Sequence, residues 1–122
     1  MSDCIFCKIV NGEIPCKKLY EDDEKLAFAD INPVAPVHLL VIPKKHIPGL
    51  LDLEEQDAGL AGRLLYKAQE LAKDPAVGGS GGADCGKNGA RFVINAKSDA
   101  GQTVDHLHIH VLGGRRLSWP PG

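Results

Sequence analysis

The sequence predicts an α+β fold built on a mainly antiparallel five-stranded sheet, with one long and one short helix. Most apolar segments follow one another through short turns, whereas parallel strands would need helical crossovers. One long stretch carries apolar residues at helical spacing instead. The element order is therefore α-β-β-β-α-β-β. With 122 residues the chain has the length of one domain, and residues 1–122 are interpreted as a single domain.

Helical spacing of apolar residues predicts the two helices. The short helix covers residues 4–11 near the N-terminus. The long helix is expected to begin after Asp52, a common capping residue, with Glu55 three positions later completing a capping box. It should stop before Asp74 and Pro75, because proline cannot continue a helix. Its apolar stripe consists of Leu60, Leu64, Leu65, Ala68, Leu71 and Ala72.

Five segments have strand character and are separated by turn-forming residues. They cover residues 19–21, 25–30, 38–42, 91–95 and 105–112. The third is almost wholly apolar, which predicts a central strand, and the second places Leu26 and Phe28 on one face. Residues 76–89 are rich in glycine and should form a flexible surface loop. They could also cradle phosphate, but no Gly-Lys-Ser/Thr ending supports that reading. Residues 97–102 are expected to form a further loop.

The fifth predicted strand contains three of the five histidines, at alternate positions His106, His108 and His110. In a strand, successive side chains point to opposite faces, so these histidines would share one face. A helix would spread them around its axis. Imidazole can serve as nucleophile, acid or base, phosphate donor or metal ligand, so both catalysis and metal binding are open. The opposite face would be formed by Leu107, Ile109 and Val111.

Charge and hydropathy limit the classes of partner. The formal net charge is −2, and basic residues cluster in nothing longer than a doublet. This argues against nucleic-acid polymers and anionic membranes as partners. No apolar run approaches the length of a membrane span, and no signal-peptide pattern opens the chain. A cytoplasmic location is therefore expected, with the cysteines as thiols or metal ligands because disulfides are rare there.

A C-x-x-C pair near the N-terminus is the first candidate metal site. Cys4 and Cys7 have the spacing that clamps one Zn²⁺ from a tight turn. His46 and one histidine of the alternating stretch could complete a tetrahedron. A thioredoxin-like redox pair is the alternative, but no βαβ pattern follows it. Cys16 and Cys85 have no comparable partners and are interpreted as ordinary thiols.

The segment before the alternating histidines could bind phosphate. Residues 98–104 run directly into that stretch, and Gly101 lets backbone N–H groups approach an anion closely. The hydroxyl of Thr103 can add another donor. His38 begins a strand and could reach the same pocket, while Asn95 ends a neighbouring strand. Turn or cap chemistry for Thr103 and Asn95, and a structural hydrogen bond for His38, are the alternatives.

Residues 101–112, with the sequence GQTVDHLHIHVL, resemble the signature of the histidine triad (HIT) family. In that signature three histidines alternate with hydrophobic residues. The Gly-Gly-Arg step at 113–115 and the Trp-Pro-Pro-Gly end resemble the histidine triad nucleotide-binding (Hint) branch, the purine nucleoside phosphoramidases. The resemblance extends over nearly the whole chain and includes the segments 5–6, 26–31, 35–38, 41–47 and 119–122.

This resemblance implies a hydrolase that cleaves the P–N bond of AMP- or GMP-amines without a catalytic metal. His108 would attack the α-phosphorus and form a nucleotidyl-histidine, which water then hydrolyses. His108 should hold its proton on Nδ1 through a backbone carbonyl, leaving the other nitrogen free. His110 and His38 would contact the phosphate and stabilise developing charge. Thr103 would bind phosphate oxygens and assist the leaving amine.

The resemblance also implies a set of substrate contacts. The backbone at Gly101 and Gln102 would bind phosphate oxygens together with Thr103. Asp30 would hold the ribose hydroxyls, and Ile31 would lie against the purine. Asn95 would face the ribose-phosphate region. Proteins of the Hint branch are homodimers, so the helix at 60–72 is a candidate interface, and Trp119 would extend toward the partner's pocket.

Two features distinguish the chain from the commonest pattern of the branch. Thr103 stands where serine is more frequent, and threonine there resembles the diadenosine-polyphosphate hydrolases. Dinucleoside polyphosphate hydrolysis is therefore an alternative, as is a nucleotide-binding scaffold protein with little catalysis. The C-x-x-C pair resembles zinc-bearing bacterial relatives, which implies a structural zinc. Its ligands would be Cys4, Cys7, His46 and His106.

Overall fold

The computed structural model describes residues 3–122, and its centre is a five-stranded sheet. The strands are β1 (Lys18–Glu21), β2 (Lys25–Ala29), β3 (Val37–Pro43), β4 (Ala90–Val93) and β5 (Ile109–Gly113). Their order across the sheet is β1-β2-β3-β5-β4, and every neighbouring pair is antiparallel. The predicted fold class and strand number are confirmed. All seven residues of β3 are buried, as expected for a central strand.

One long helix and three short ones accompany the sheet. They are α1 (Ile5–Val10), α2 (Ala58–Lys73), α3 (Cys85–Asn88) and α4 (Lys97–Ala100). The first two match the predicted helices. Helices α3 and α4 each contain four residues and were expected to be loop, because one turn is too short to show an apolar period. Among the described residues, no helix has the length and apolarity needed to cross a membrane.

The sheet buries both of its faces, each against a different helix. On one face α2 packs with Leu64 and Leu71 against Val41 of β3. On the other, Phe6 of α1 packs against a smaller cluster from β2 and β3. The prediction that Leu26 and Phe28 share a face is confirmed, since both belong to this second cluster. The smaller cluster consists of Phe6, Leu26, Phe28, Leu40 and Ile42.

The start of α2 differs from the predicted capping pair. The residue before the helix is Asp57, not Asp52. A capping box is present in the 3-10 turn Glu55–Asp57 directly before α2, and it joins Glu54 and Asp57, with the Glu54 amide donating to Asp57 Oδ2 at 3.1 Å. The predicted pair and the observed pair have the same three-residue spacing. The observed one is also supported by an ion pair between Lys45 Nζ and Asp57 Oδ1 at 2.7 Å. Asp52 ends a separate 3-10 turn.

The glycine-rich segment 76–89 is folded against α2, which corrects the expected flexible loop. It contains a 3-10 turn at Ser80–Gly82 and helix α3, which buries Cys85 in the core. Gly78 is required by packing, because a Cβ there would overlap the carbonyl oxygen of Ala72. The chain can therefore turn back tightly after α2.

The histidine stretch is a ladder strand only in its second half. β5 begins at Ile109, whereas the prediction began the strand at residue 105. Residues 104–106 form a bend, in which the His106 amide donates to Val104 O at 2.9 Å. The Leu107 amide then donates to Ile47 O at 2.7 Å instead of to a neighbouring strand. Within the ladder, His110 lies opposite Leu40 of β3 and Val93 of β4. Of the three histidines, His110 therefore lies within the sheet, whereas His106 and His108 lie in the segment that precedes β5.

Candidate active site

The alternating side chains around β5 point to opposite faces of the sheet, as predicted. The aliphatic set joins the core beneath α2. The histidines face α1, where the ring of Phe6 lies edge-on to His106 and His108 at centroid distances of 5.9 and 5.2 Å. His108 and His110 are adjacent, with ring centroids 4.9 Å apart. The aliphatic set consists of Leu107, Ile109 and Val111.

His108 is held in one tautomer by its own backbone. Its Nδ1 lies 2.7 Å from the carbonyl oxygen of His106. A carbonyl oxygen only accepts, so Nδ1 of the neutral ring carries the proton and donates it. The lone pair then lies on Nε2. This confirms the predicted hydrogen bond, and it leaves Nε2 as a nucleophilic nitrogen on a ring that is 4 % exposed.

A second chain of hydrogen bonds orders His38 and His110. The backbone amide of Val34 donates to His38 Nδ1 at 3.1 Å. Since this nitrogen accepts, the neutral His38 ring carries its proton on Nε2. That Nε2–H points to His110 Nδ1 at 3.0 Å and to Asp30 Oδ2 at 3.3 Å. His110 consequently holds its own proton on Nε2 and can donate it into the space beside His108.

Burial keeps these two rings uncharged near neutral pH. Removal from water lowers the pKa of His110 to about 4, and the adjacent His108 and His38 rings add to the effect. Burial also lowers the pKa of His38, although the Asp30 carboxylate acts in the opposite direction. His38 and His110 are therefore neutral imidazoles that can donate hydrogen bonds.

A cleft of about 280 Å³ opens in front of the histidines. Its polar end is formed by His108 and His110 together with Asp30 and Thr103. Ile31 lies at the mouth and is 88 % exposed. Five of the predicted site residues therefore meet at one cleft, and His38 joins them through His110. The apolar walls include Ile5, Phe6, Ile9, Ile14, Phe28 and Leu40.

Gly101 and Gln102 do not line this cleft. The side chain of Gln102 fastens the loop instead: it accepts from the Lys97 amide at 2.8 Å and donates to Pro48 O at 2.7 Å. Gly101 ends α4 with a φ of 83°, a left-handed conformation that favours glycine. Their predicted contact with phosphate through the backbone stays a prediction.

Asn95 and Trp119 also lie outside the cleft lining. Asn95 follows β4, two residues beyond Val93, the partner of His110 in the ladder. Trp119 is 78 % exposed and lies beside Arg91, whose Nη2 donates to Ser118 O at 2.9 Å. Their predicted roles in substrate binding stay predictions.

Several residues of the site escaped the sequence-based prediction. Cys16 and Ile14 line the cleft from the segment between α1 and β1, where no periodic pattern marks them. Ile9 could have been found, because it lies three residues after Phe6 on the same face of α1. Val34 acts through its backbone amide, so its side-chain identity carries no signal.

A second cluster places four metal-binding side chains beside the cleft. The ligand atoms of Cys4, Cys7, His46 and His106 all lie within 4.8 Å of one another. Cys4 Sγ lies 3.3 Å from His106 Nδ1, Cys7 Sγ lies 3.2 Å from His46 Nδ1, and the two Nδ1 atoms are 3.2 Å apart. Ligands around a tetrahedral Zn²⁺ are separated by about 3.3 Å for N···N and about 3.6 Å for S···N. The four predicted ligands therefore have the spacing of a zinc site.

The orientation of His106 also fits a metal ligand. Its ring is fully buried, and Nε2 lies 2.8 Å from the carbonyl oxygen of Pro43. Because that oxygen accepts, Nε2 carries the proton and Nδ1 presents its lone pair to the cluster. A carbonyl that orients a ligating histidine in this way is typical of metal sites. The cluster joins the start of α1 to the segment that precedes β5.

Comparisons with known proteins agree with this architecture. The HIT domain profile matches residues 11–117. An uncharacterised HIT-like protein from Synechocystis is 51 % identical over 98 % of this chain and 97 % of its own length. A HIT family hydrolase from Legionella pneumophila is 45 % identical, with a TM-score of 0.89 over 98 % of this chain and 100 % of its own. A Zn-bound histidine triad family protein from Mycobacterium smegmatis is 37 % identical, with a TM-score of 0.77 over 96 % and 81 % of the two chains. The chain belongs to the HIT domain family.

Proposed function

We propose that this chain is a nucleotide-binding hydrolase that cleaves the P–N bond of purine nucleoside 5′-phosphoramidates. The observation that carries the proposal is the Nδ1–H of His108 bonded to His106 O at 2.7 Å, which leaves the Nε2 lone pair at the cleft. The similarity to a HIT family hydrolase from Legionella pneumophila supports the reaction class. The family resemblance supports the finer assignment to AMP- or GMP-amines.

The reaction proceeds through a covalent intermediate on His108. Its Nε2 attacks the α-phosphorus, and the new N–P bond forms as the bond from phosphorus to the amine breaks. The amine leaves with a proton that the Thr103 hydroxyl relays from solvent. Water then attacks the same phosphorus, which releases the nucleoside monophosphate and returns the electron pair to Nε2, and the proton that the water loses goes back to solvent. The sum is one phosphoramidate and one water converted to one amine and one monophosphate.

The neighbouring groups stabilise charge during both steps. The Nε2–H of His110 is placed to donate to a phosphate oxygen, and it does so as a neutral ring because its pKa is lowered to about 4. The apolar walls around Phe6 and Phe28 suit a planar base. Asp30 lines the same cleft and offers acceptor oxygens to ribose hydroxyls. A nucleoside phosphate fits this division between apolar walls and a polar end.

A substrate panel on purified protein tests the assignment. Adenosine 5′-phosphoramidate and guanosine 5′-phosphoramidate should be hydrolysed much faster than diadenosine polyphosphates. Faster cleavage of the polyphosphates would favour the dinucleoside hydrolase alternative. Tight binding of AMP without turnover of any substrate would favour a nucleotide-binding scaffold.

Substitution of the proposed nucleophile gives the second test. His108→Ala should lower turnover below about 1 % of wild type while AMP binding stays within roughly tenfold, because ribose and base contacts lie elsewhere. His110→Ala should reduce turnover less. Rapid quench with substrate labelled at phosphorus should trap label on His108 that is stable to base and lost in acid. Label on another residue, or substantial turnover by His108→Ala, would contradict the mechanism.

We also propose that the Cys4, Cys7, His46 and His106 cluster binds a structural zinc ion. The donor set, the ligand spacing and the tautomer of His106 support it, and the Mycobacterium relative is Zn-bound. Two cysteines with two histidines form a closed set of four ligands, which is typical of structural zinc. Zinc would supply a fixed cross-link between α1, the segment after β3 and the approach to β5.

A further inference from the structure

We propose that Arg115 is a positioning residue for the proposed hydrolysis, acting through the backbone of Val34. By holding Val34, it determines which ring nitrogen of His38, and then of His110, carries the proton. The inference rests on the proposed function for its catalytic consequence. The tautomers themselves can be measured without substrate.

The first link joins the end of the histidine strand to the loop between β2 and β3. Arg115 Nη2 donates to the Val34 carbonyl oxygen at 3.0 Å, and its Nη1 donates to Arg116 O at 3.1 Å. The turn before Arg115 approaches the loop closely, since a Cβ on Gly114 would lie 2.8 Å from Pro36 Cβ. Gly114 also has a φ of 90°, so glycine is required there on both grounds.

The Arg115 guanidinium holds the carbonyl of Val34, which lies between Pro33 and the buried Ala35. The Val34 side chain is 60 % exposed, so its burial contributes little to fixing the loop. A hydrogen bond from a charged donor to a carbonyl is stronger than a neutral one. With its carbonyl held, Val34 keeps its amide directed at His38 Nδ1, 3.1 Å away.

That amide sets the direction of the whole hydrogen-bond chain. An N–H group can only donate, so His38 Nδ1 must accept and His38 Nε2 must carry the proton. This proton points to His110 Nδ1 at 3.0 Å, which places the remaining His110 proton on Nε2 at the cleft. In the opposite tautomers His110 would present a lone pair to the phosphate instead of a donor. The productive arrangement therefore depends on Val34.

The same hydrogen bonds would compete with a metal ion at the group formed by Asp30, His38 and His110. Ligand atoms of Asp30, His38 and His110 lie within 4.8 Å of one another, a spacing compatible with a cation. However, the Val34 amide occupies His38 Nδ1, so Nε2 holds a proton and has no lone pair for a metal. The proton on His38 Nε2 instead lies within hydrogen-bond distance of His110 Nδ1 and Asp30 Oδ2.

Nitrogen-15 NMR of the histidine rings in protein without substrate tests the inference directly. The chain has five histidines, so the resonances of ten ring nitrogens can be assigned. In wild type, His38 and His110 should each show a protonated Nε2 and an unprotonated Nδ1. Arg115→Met should shift both rings toward exchange between tautomers. Arg116→Met, which removes an adjacent exposed arginine, should leave the spectrum unchanged.

Kinetics with adenosine 5′-phosphoramidate give the catalytic readout. Arg115→Met should lower kcat roughly threefold to tenfold, because only the fraction of molecules in the productive tautomer reacts. KM should change less than about twofold, since Arg115 does not line the cleft. Val34→Pro removes the amide proton and should reproduce both effects, whereas Val34→Ala should resemble wild type.

Wild-type tautomers retained in Arg115→Met would overturn the role of Arg115, whether or not the protein is active. If Val34→Pro does not fold, the Arg115→Met and Arg116→Met pair still decides the matter. Altered tautomers with unchanged kcat would overturn the catalytic part. Absence of phosphoramidase activity in wild type, with the expected tautomer shift in Arg115→Met, would refute the proposed function but retain the structural role of Arg115.

Discussion

Single groups that can only donate or only accept decide the proton positions of the histidines. The carbonyl of His106 accepts from His108, and the carbonyl of Pro43 accepts from His106. The amide of Val34 donates to His38. Each contact selects one of two tautomers of nearly equal intrinsic energy. The backbone thereby leaves a lone pair on Nε2 of His108 and on Nδ1 of His106, and a proton on Nε2 of His38.

The lowered pKa of His110 predicts a pH-dependent stability. The folded value is about 4 and an unfolded histidine titrates near 6.5, so the unfolded chain binds more protons between these values. The free energy of unfolding should therefore fall as pH decreases from about 6.5 to about 4. His110→Gln should weaken this dependence, measured by urea unfolding at several pH values in buffers without phosphate.

Comparing wild type with His110→Gln separates the contribution of His110 to the pH dependence of stability from all other contributions. His38 also has a lowered pKa and remains in both, so some dependence of the same sign should persist in His110→Gln. Loss of zinc at low pH would likewise affect both. Parallel stability curves for wild type and His110→Gln between pH 6.5 and 4 would contradict the assignment.

Helix α1 shows how one short element supports both sites. It has six residues, and helices of that length are not stable alone in water. Phe6 on its inner face packs against His108, while Cys4 caps its start and Cys7 lies in its first turn. Its position therefore depends on contacts with the rest of the chain. A metal cross-link at its first turn would hold the wall of the cleft in place.

The zinc proposal predicts a loss of stability that exceeds the loss of activity. Zinc at 100 to 1,000 times its dissociation constant stabilises a fold by about 2.7 to 4.1 kcal/mol. Cys4→Ala should lose most bound zinc and lower Tm by roughly 10 °C. Residual phosphoramidase activity at a temperature well below that Tm should fall less. Elemental analysis and thermal unfolding of protein purified without chelator provide the measurements.

Cys85→Ala is the matched control, because Cys85 lies in the core away from the cluster. It should keep its zinc, even where lost packing lowers Tm. Less than about a tenth of a zinc ion per wild-type chain, or equal zinc content in Cys4→Ala and wild type, would refute the metal site.

On the scale of the whole molecule, an apolar surface formed by α2 and β4 lies beside one edge of the sheet. Strand β4 ends the sheet, and an edge strand presents backbone groups that can pair with another chain. Beside it, Leu65 and Tyr66 of α2 and Phe92 of β4 are 53 %, 63 % and 39 % exposed. We propose that a second copy of the chain covers this surface, in the homodimer that the family resemblance implies. The tail with Trp119 would then approach the partner's cleft.

Sedimentation tests the proposed dimer. The wild-type protein should be dimeric at micromolar concentration, and Phe92→Glu should be monomeric because a buried unpaired charge is costly at an interface. Leu51→Glu changes an equally apolar residue that is 69 % exposed in a 3-10 turn, and it should remain dimeric. A monomeric wild type would contradict the proposal, and so would a dimer that persists in Phe92→Glu.

The sequence by itself determined the properties that depend on local periodicity. The alternation around His108 fixed the two faces of β5, because a strand has a two-residue period whatever surrounds it. The stripe from Leu60 to Ala72 fixed α2 in the same way. The C-x-x-C spacing identified Cys4 and Cys7 as a pair that one metal ion can bridge. Strand number and the antiparallel arrangement followed from these patterns and the short turns between them.

Tertiary structure decided which distant groups meet, and which of several equivalent local choices is used. His38 and His110 are 72 positions apart, and the register of β3 against β5 places their nitrogens 3.0 Å apart. The capping box joins Glu54 and Asp57, and Asp57 also pairs with Lys45, 12 positions earlier in the chain. Val34 matters through a backbone amide that every residue but proline possesses. Such contacts depend on the path of the loops and the register of the strands. Neither can be read from the identity of the residues in contact, because both are set by parts of the chain that are distant in sequence.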